Sequence, residues 1–203
     1  MKVRNQYFEI LDRLNGKGIL KKIEKCGRVC YKSENKISDG TAEKFVGNII
    51  KRGHESVLEH VSFSVRFVTD RANTHELVRH RLASFSQESQ RYVAYDGDME
   101  FIRQVDMNTV SEAAWRDCME VSEAAYKALR KTMKLSPQLA RSVLPNSTKT
   151  EIIVTANLRE WRHILKLRTS KAAHPQMRAL MIPLLNKLKK LIPIVFDDIE
   201  VEK

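Results

Sequence analysis

The sequence predicts one α/β domain, on three observations. Residues 61–67 alternate Val61, Phe63, Val65 and Phe67 with Ser62, Ser64 and Arg66, the period of a half-buried strand, and residues 148–156 are β-branched through Ile152, Ile153, Val154 and Thr155. Segments of helical period lie before, between and after these two strands. Finally, 203 residues with 42% hydrophobic and 30% charged content suit one substantial core in a folded, soluble chain. No repeat, low-complexity tract or linker divides residues 1–203.

In chain order, residues 5–13 read as a short opening strand with a turn at Asn15-Gly16. Ile19, Leu20, Ile23 and Cys30 predict a helix over 18–31. Ser38-Asp39-Gly40-Thr41 is a turn and a helix cap, and Phe45, Val46, Ile49 and Ile50 form a helical stripe that stops at Gly53. After the strand at 61–67, Thr69-Asp70 caps a helix over 71–79 that delivers Arg79-His80-Arg81. Tyr92 and Val93 are expected to resume extended structure, and 99–105 is a weak strand. Residues 108–133 carry Val110, Ala113, Ala114, Cys118, Val121, Ala124, Ala125, Ala128 and Leu129 at helical intervals, which predicts a long core helix. Ser136-Pro137 opens a short helix through Leu144, with proline at the first helical position, where its missing N–H costs nothing. Asn157 ends the second strand, and the helix over 158–167 turns Trp161, Ile164 and Leu165 inward and several basic groups outward. His174-Pro175 opens a last helix on Met177, Leu180, Met181, Leu184, Leu185 and Leu188, ending at Ile192-Pro193.

The longest apolar runs, 180–185 and 191–196, are interrupted by Pro183 and Pro193 and are too short to span a bilayer. The basic N-terminus lacks an apolar segment behind it, so a cytoplasmic protein is expected. Lys and Arg total 36 against 25 Asp and Glu, a net +11 that favours anionic partners: nucleic acid, phosphorylated metabolites or nucleotide cofactors. Cys26, Cys30 and Cys118 are an odd number, and in an intracellular setting they suggest buried or half-buried thiols rather than a disulfide framework.

The densest chemistry lies in residues 79–92. Arg79, His80 and Arg81 are adjacent; after seven intervening residues comes Ser89, followed by Arg91 and Tyr92. Such a run offers many donors to phosphate and carbonyl oxygens, and by itself it reads equally as a solvated basic loop or as an anion site. None of the seven glycines forms a phosphate-cradling loop, so a bound nucleotide would be held by side chains and helix ends. Arginine suits that task because its planar fork donates to two oxygens at once. Arg141, Arg159 and Arg168 stand near element ends with Arg79, Arg81 and Arg91. Asn157, Arg159 and His163 could read a heterocycle edge, as could His54 and Ser56, although by themselves a cap or a satisfied surface group is the simpler account of each. The six histidines include no HExxH, so no metal site is expected, and no nucleophile elbow is present.

The pattern Arg79-His80-Arg81, seven residues, Ser89, then Arg91-Tyr92 resembles the signature of the flavin-dependent thymidylate synthases. The resemblance covers roughly residues 20–190. Gly53-His54-Glu55-Ser56 with Glu59-His60 is similar to that family's flavin-contacting segment. Ala140-Arg141-Ser142-Val143-Leu144-Pro145 is similar to its substrate-arginine segment, and Asn157-Leu158-Arg159-Glu160-Trp161 with Leu167-Arg168 to its C-terminal nucleotide segment. The resemblance implies a single-domain fold with helices around a mixed sheet, a homotetramer with shared active sites, and the methylation of dUMP to dTMP. The carbon would come from 5,10-methylenetetrahydrofolate and the hydride from FAD reduced by NADPH. It places Ser56, Arg79, His80, Arg81, Gln87, Asn157, Arg159 and His163 against FAD. It places Glu76, Leu77, Val78, Arg79, Gln87, Glu88, Ser89, Gln90, Arg91, Arg141 and Arg168 against dUMP.

The chemistry agrees with those roles. A pyrophosphate and a phosphate dianion require an arginine-rich site. Negative charge developing on the uracil ring needs a fixed cation, the role of Arg168, while Arg91 and Arg141 anchor the phosphate. Ser89 stands with Arg168 as a catalytic candidate; with no base beside it in sequence, it is read as a positioning hydrogen bond to substrate. Three positions depart from some relatives: Glu76 stands for Gln, Gln87 for Glu and His163 for Asn. An anionic Glu76 disfavours a phosphate contact, so ribose or base suits it better. The rival reading is a basic nucleic-acid-binding module without catalysis, although the cations are scattered over every element rather than gathered in one stripe.

Overall fold

The structure is a computed structural model and describes residues 1–201. It is mixed α/β. A four-stranded sheet has the order β2 (Tyr7–Ile10), β3 (Ser62–Asp70), β6 (Lys149–Asn157), β4 (Ser84–Gln87). A two-stranded parallel sheet pairs β1 (Lys2–Arg4) with β5 (Glu100–Ile102), in the register Lys2↔Glu100, Val3↔Phe101, Arg4↔Ile102. The chain's packing divides into two compact units: Met1–Phe8, Arg66–Arg79 and Phe85–Ile153 in the first, and Glu9–Val65, His80–Ser84 and Val154–Lys203 in the second.

In the first unit, Asp70 ends β3 and its side chain accepts the amide of Asn73 (2.8 Å), which starts α3 (Arg71–Leu77). Asn108 does the same for α4 (Thr109–Lys127), accepting from the Ser111 amide at 2.9 Å. That helix continues through a wider π turn, Ala128–Thr132. Pro137 sits at the start of α5 (Pro137–Ala140), and a 3₁₀ turn, Arg141–Val143, follows it. The core here is Met99, Phe101, Met119, Tyr126 and Ala140, packed by Trp115, Leu129, Val143 and Leu144.

In the second unit, Asn15 caps α1 (Gly16–Val29) through its bond to the Gly18 amide, so the expected turn is a helix start. α2 (Thr41–Lys51) packs on α1 where Gly27 meets Phe45; a Cβ at Gly27 would lie 2.6 Å from that ring. A 3₁₀ stretch, Glu55–His60, leads into β3. Asn157 ends β6 and caps α6 (Leu158–Thr169) by accepting the Glu160 amide (2.9 Å). α7 (Pro175–Leu191) lies on α6 and buries all six apolar residues of its predicted stripe. Trp161 stacks on Phe63 with centroids 5.0 Å apart and donates its indole N–H to the Phe63 carbonyl. Among the described residues no helix is long and apolar enough to cross a membrane.

Several expectations change. Of the opening strand expected over 5–13, only Tyr7–Ile10 (β2) is a strand, and a second short strand, β1, precedes it at Lys2–Arg4. Tyr92 lies in a turn rather than a strand, because the carbonyl of Ser89 accepts both the Tyr92 and Val93 amides. The strand of this region is β4, within the expected loop. The long α4 buries Met119, Glu123 and Tyr126, whereas Val110, Ala114, Cys118, Val121 and Ala128 of the predicted core stripe are exposed. Cys30 and Cys118 are exposed free thiols and Cys26 is half-buried, since the first lies past the packed face of α1 and the second on the open face of α4. On α6, Arg162 points inward and is 1% exposed because carboxylates meet it there.

Candidate functional site

The first unit carries most of the expected substrate residues. Glu76 and Leu77 lie in the last turn of α3, Val78 caps it, and Arg79 follows in the open. Leu77 is a core side chain, so only its backbone can face a ligand. Gln87 closes β4, and its amide nitrogen donates to Thr74 (2.8 Å) and Thr150 (3.4 Å). Glu88 is locked by the Tyr95 hydroxyl at 2.6 Å and by Lys149 at 3.3 Å. Burial first, and then Glu88, pushes the Tyr95 hydroxyl far above its ordinary range, so it remains a donor. The turn after β4 is fixed from within. Ser89 Oγ accepts the Arg91 amide (3.3 Å), Gln90 is buried, and Arg91 is exposed with its guanidinium 5.5 Å from the Tyr92 ring.

Arg141 is exposed at the end of α5. Arg71, which the sequence reading passed over, is held below its ordinary range, first by burial and also by the nearby positive charge of Arg141. It donates to the Glu88 carbonyl at 3.4 Å. Two guanidiniums close enough to repel make a place where a dianion would be stabilised.

The second unit carries the remaining residues. Arg81 is exposed and His80 is buried, with α6 over it. The Arg168 Nε–H donates to His80 Nε2 at 3.0 Å, and His80 Nδ1 lies 3.6 Å from Glu160 Oε1. The His163 ring meets the His80 ring edge-on, 5.7 Å between centroids. Burial, then Arg168 and His163, hold the His80 imidazole down at about 4, so it is neutral near pH 7. Because Nε2 accepts from Arg168, the single proton of that neutral ring sits on Nδ1. Burial raises Glu160 above its ordinary range, with His163 pulling the other way.

His80, Glu160 and His163 bring ligand-type atoms within 4.8 Å of one another, a spacing a metal ion could use. Their chemistry does not suit one: the nitrogen facing Glu160 bears the proton, and a guanidinium holds the other. The group is a hydrogen-bonded cluster around Arg168.

Asn157, Arg159, His163 and Leu82 line a cavity of about 500 Å³, with Glu59 paired to Arg159 at 2.7 Å. Ser56 and His54 line a different one of about 510 Å³, with Arg28, Lys36 and Arg52 and no carboxylate among its described lining residues. That donor set fits a pyrophosphate, and amide, imidazole and guanidinium groups fit a flavin's polar edges. The sequence reading quoted Glu160 only as part of a motif. A signal was present, since Glu160 and Arg168 are eight residues apart and share one helix face.

The profile of the family described as thymidylate synthase complementing protein, Thy1, matches residues 11–194. A flavin-dependent thymidylate synthase from Mycobacteroides abscessus is 38% identical over 198 residues, covering 88% of this chain and 79% of the relative. One from Mycolicibacterium gilvum is 39% identical over 199 residues, with the same coverage of 88% and 79%. Among solved structures, a UMP/dUMP methylase, PolB from Streptomyces cacaoi bound with 5-Br dUMP, superposes with a TM-score of 0.84 at 22% identity, covering 97% of this chain and 96% of that one. At that identity the likeness concerns the fold.

Proposed function

We propose that this chain, which belongs to the thymidylate synthase complementing protein family, Thy1, acts as a flavin-dependent thymidylate synthase that methylates dUMP to dTMP. The observation that carries the reading is the agreement of the Thy1 match over residues 11–194 with a guanidinium, Arg168, held by a buried neutral histidine of the same signature. The carbon comes from 5,10-methylenetetrahydrofolate; FAD, when bound and reduced by NADPH, supplies the hydride.

The chain's own residues bind, orient and polarise. Arg91 and Arg141, joined by Arg71, hold the substrate phosphate, and the Ser89 hydroxyl positions the nucleotide. Gln87, Glu88 and Gln90 shape that pocket, and the α3 end from Glu76 to Arg79 borders it. Glu88 acts mainly by fixing the wall, since Tyr95 and Lys149 already engage its carboxylate. Ser56, Arg79, Arg81, Asn157, Arg159 and His163 hold the flavin cofactor, with the remaining face of His80. Arg168 places its fixed cation where negative charge develops on the pyrimidine, favouring the N3-deprotonated form and so the nucleophilicity of C5.

Residues 1–203 work as one catalytic domain, since the family match runs through both packing units. The enzyme is a cytoplasmic homotetramer with shared active sites. Two features support the assembly: the exposed apolar stripe of α4, and the separation of Ser56 from Asn157, Arg159 and His163 into different cavities.

The test is spectroscopic and chemical. Purified protein is yellow or becomes so with FAD, oxidises NADPH with dUMP present, and forms dTMP. Arg168→Ala keeps flavin reduction and loses dTMP formation; synthesis that survives this change removes Arg168 from its role.

A further inference from the structure

Arg168 is a long, half-buried side chain near the end of α6, and a cation that must meet a pyrimidine in one orientation needs an anchor. Its anchor is His80 Nε2, 3.0 Å from Nε. An imidazole can accept there only if its proton is on Nδ1. Isolated imidazole side chains favour the opposite tautomer, with the proton on Nε2, which would set two N–H groups against each other. Something must hold the proton on Nδ1. Glu160 Oε1 is 3.6 Å from that nitrogen, too far for a full hydrogen bond but close enough for its charge to bias the tautomer inside a buried pocket. Glu160 is itself held: its amide is capped by Asn157, one turn ahead of His80's neighbour His163.

We propose that Glu160 is a positioning residue for Arg168, acting through His80: the carboxylate keeps the imidazole in its Nδ1–H form, and Nε2 then fixes the plane of the guanidinium. The inference rests on the reading of Arg168 as the cation that polarises the pyrimidine. It assigns His80 a task besides contact with the flavin, and it gives Glu160 a role in the reaction without contact to substrate. Engaging Nε also takes Arg168 out of a side-on bidentate mode, so the guanidinium approaches a pyrimidine edge through its Nη end.

The experiment uses the full chain with FAD and two variants, Glu160→Ala and Glu160→Gln. Nitrogen-15 NMR of histidine-labelled protein reads the tautomer of His80 directly. In the unaltered protein Nδ1 is protonated and Nε2 is not. In Glu160→Ala the Nε2–H form appears, and kcat for dTMP formation falls by about 10- to 100-fold, while KM for dUMP and the rate of flavin reduction by NADPH stay unchanged. Glu160→Gln, isosteric but uncharged, keeps the packing and loses the charge, so it shows the same change of tautomer and the same fall in kcat. It also keeps the test alive if the alanine variant fails to fold. An unchanged kcat in either folded variant overturns the proposal, as does lost kcat with the Nδ1–H tautomer intact. So does a parallel decline of KM, flavin reduction and kcat, which marks a merely structural residue. Arg168→Ala separates the two layers: if it still makes dTMP, the reading of Arg168 fails, whereas if it does not and Glu160→Ala is silent, only the role of Glu160 fails.

Discussion

Glu123 on α4 and Glu160 on α6 are the same residue at nearly the same burial, 6% and 5% exposed, yet they titrate in opposite directions. Burial pushes both up. For Glu123 it is outweighed by Lys127 at 2.9 Å, the Met99 amide at 2.9 Å and the Met1 ammonium at 2.9 Å, which together hold the carboxyl down at about 2. Glu160 faces a neutral imidazole, and burial raises it against the pull of His163. Burial sets a similar penalty in each unit; the partners decide its outcome. One carboxylate is a fixed tie between α4, the loop before β5 and the chain's first residue. The other faces the His80 imidazole at 3.6 Å, the geometry a positioning group requires.

The largest expected effect breaks the comparison at a buried charge that is fully partnered. Arg162 pairs with Glu55 (2.9 Å) and Asp198 (2.6 Å) and donates to the Val195 carbonyl. Arg162→Met removes the cation from among these groups, and urea unfolding is expected to show a loss of about 3 kcal/mol. A loss under about 1 kcal/mol would mean that water already reaches Asp198 well enough to replace it. Glu123→Gln comes next, at about 2 kcal/mol, because Lys127 and the ammonium then face an uncharged amide.

Acid unfolding sharpens the contrast. His80 in the folded chain titrates at about 4, below its ordinary 6.5, so the unfolded chain binds more protons between those values. Its contribution to stability is present above pH 6.5 and is lost as pH falls toward 4. Glu123 shows the same sign in a lower window: present above 4.5, lost as pH falls toward 2. Glu160, with its folded value raised, has the opposite sign and offsets part of the loss. Urea midpoints measured across pH should therefore decline in two legs. Glu123→Gln makes the lower leg shallower, since Asp198, Glu151 and Glu112 are also held below their ordinary range by their cationic partners, and His80→Gln removes the upper; one smooth leg in the unaltered protein would refute the separation.

The same contrast explains what was legible in the sequence. Local chemistry was readable: Asp70, Asn108 and Asn157 are short polar side chains at the starts of periodic segments, and the first and last of these were read as element ends. The stripe of α7 was readable because all of it is buried. The inward turn of Arg162 was not legible because its partners, Glu55 and Asp198, are 107 and 36 residues away, and nothing near it in sequence announces them. His80 is one of three adjacent cationic or protonatable side chains in a run that reads equally as loop or anion site, and its burial by a helix 80 residues further on has no local signal. The short strand β4 was missed because its four residues, Ser84, Phe85, Ser86 and Gln87, are half-exposed and mostly polar, and only pairing with β6 makes them a strand. Family motifs supplied the site's membership; the tautomer of His80 and the place of Glu160 required coordinates.

The smallest effect on the fold tests the exposed apolar stripe of α4. α4 and α7 have similar apolar periodicity, but Val110 and Val121 of α4 are 80% and 70% exposed while the stripe of α7 is covered. A period reports that a face is apolar and not what covers it. If α4 packs against another copy of the chain in the proposed tetramer, Val121→Glu places a carboxylate in a contact where it would lose its water. The folded chain itself should change by less than about 0.5 kcal/mol, since the side chain touches solvent. Sedimentation equilibrium should then show a smaller assembly than the unaltered protein, with dTMP formation falling in step if active sites are shared as proposed. A variant that keeps both its mass and its activity would move the interface to another face and leave the α4 stripe as solvated surface.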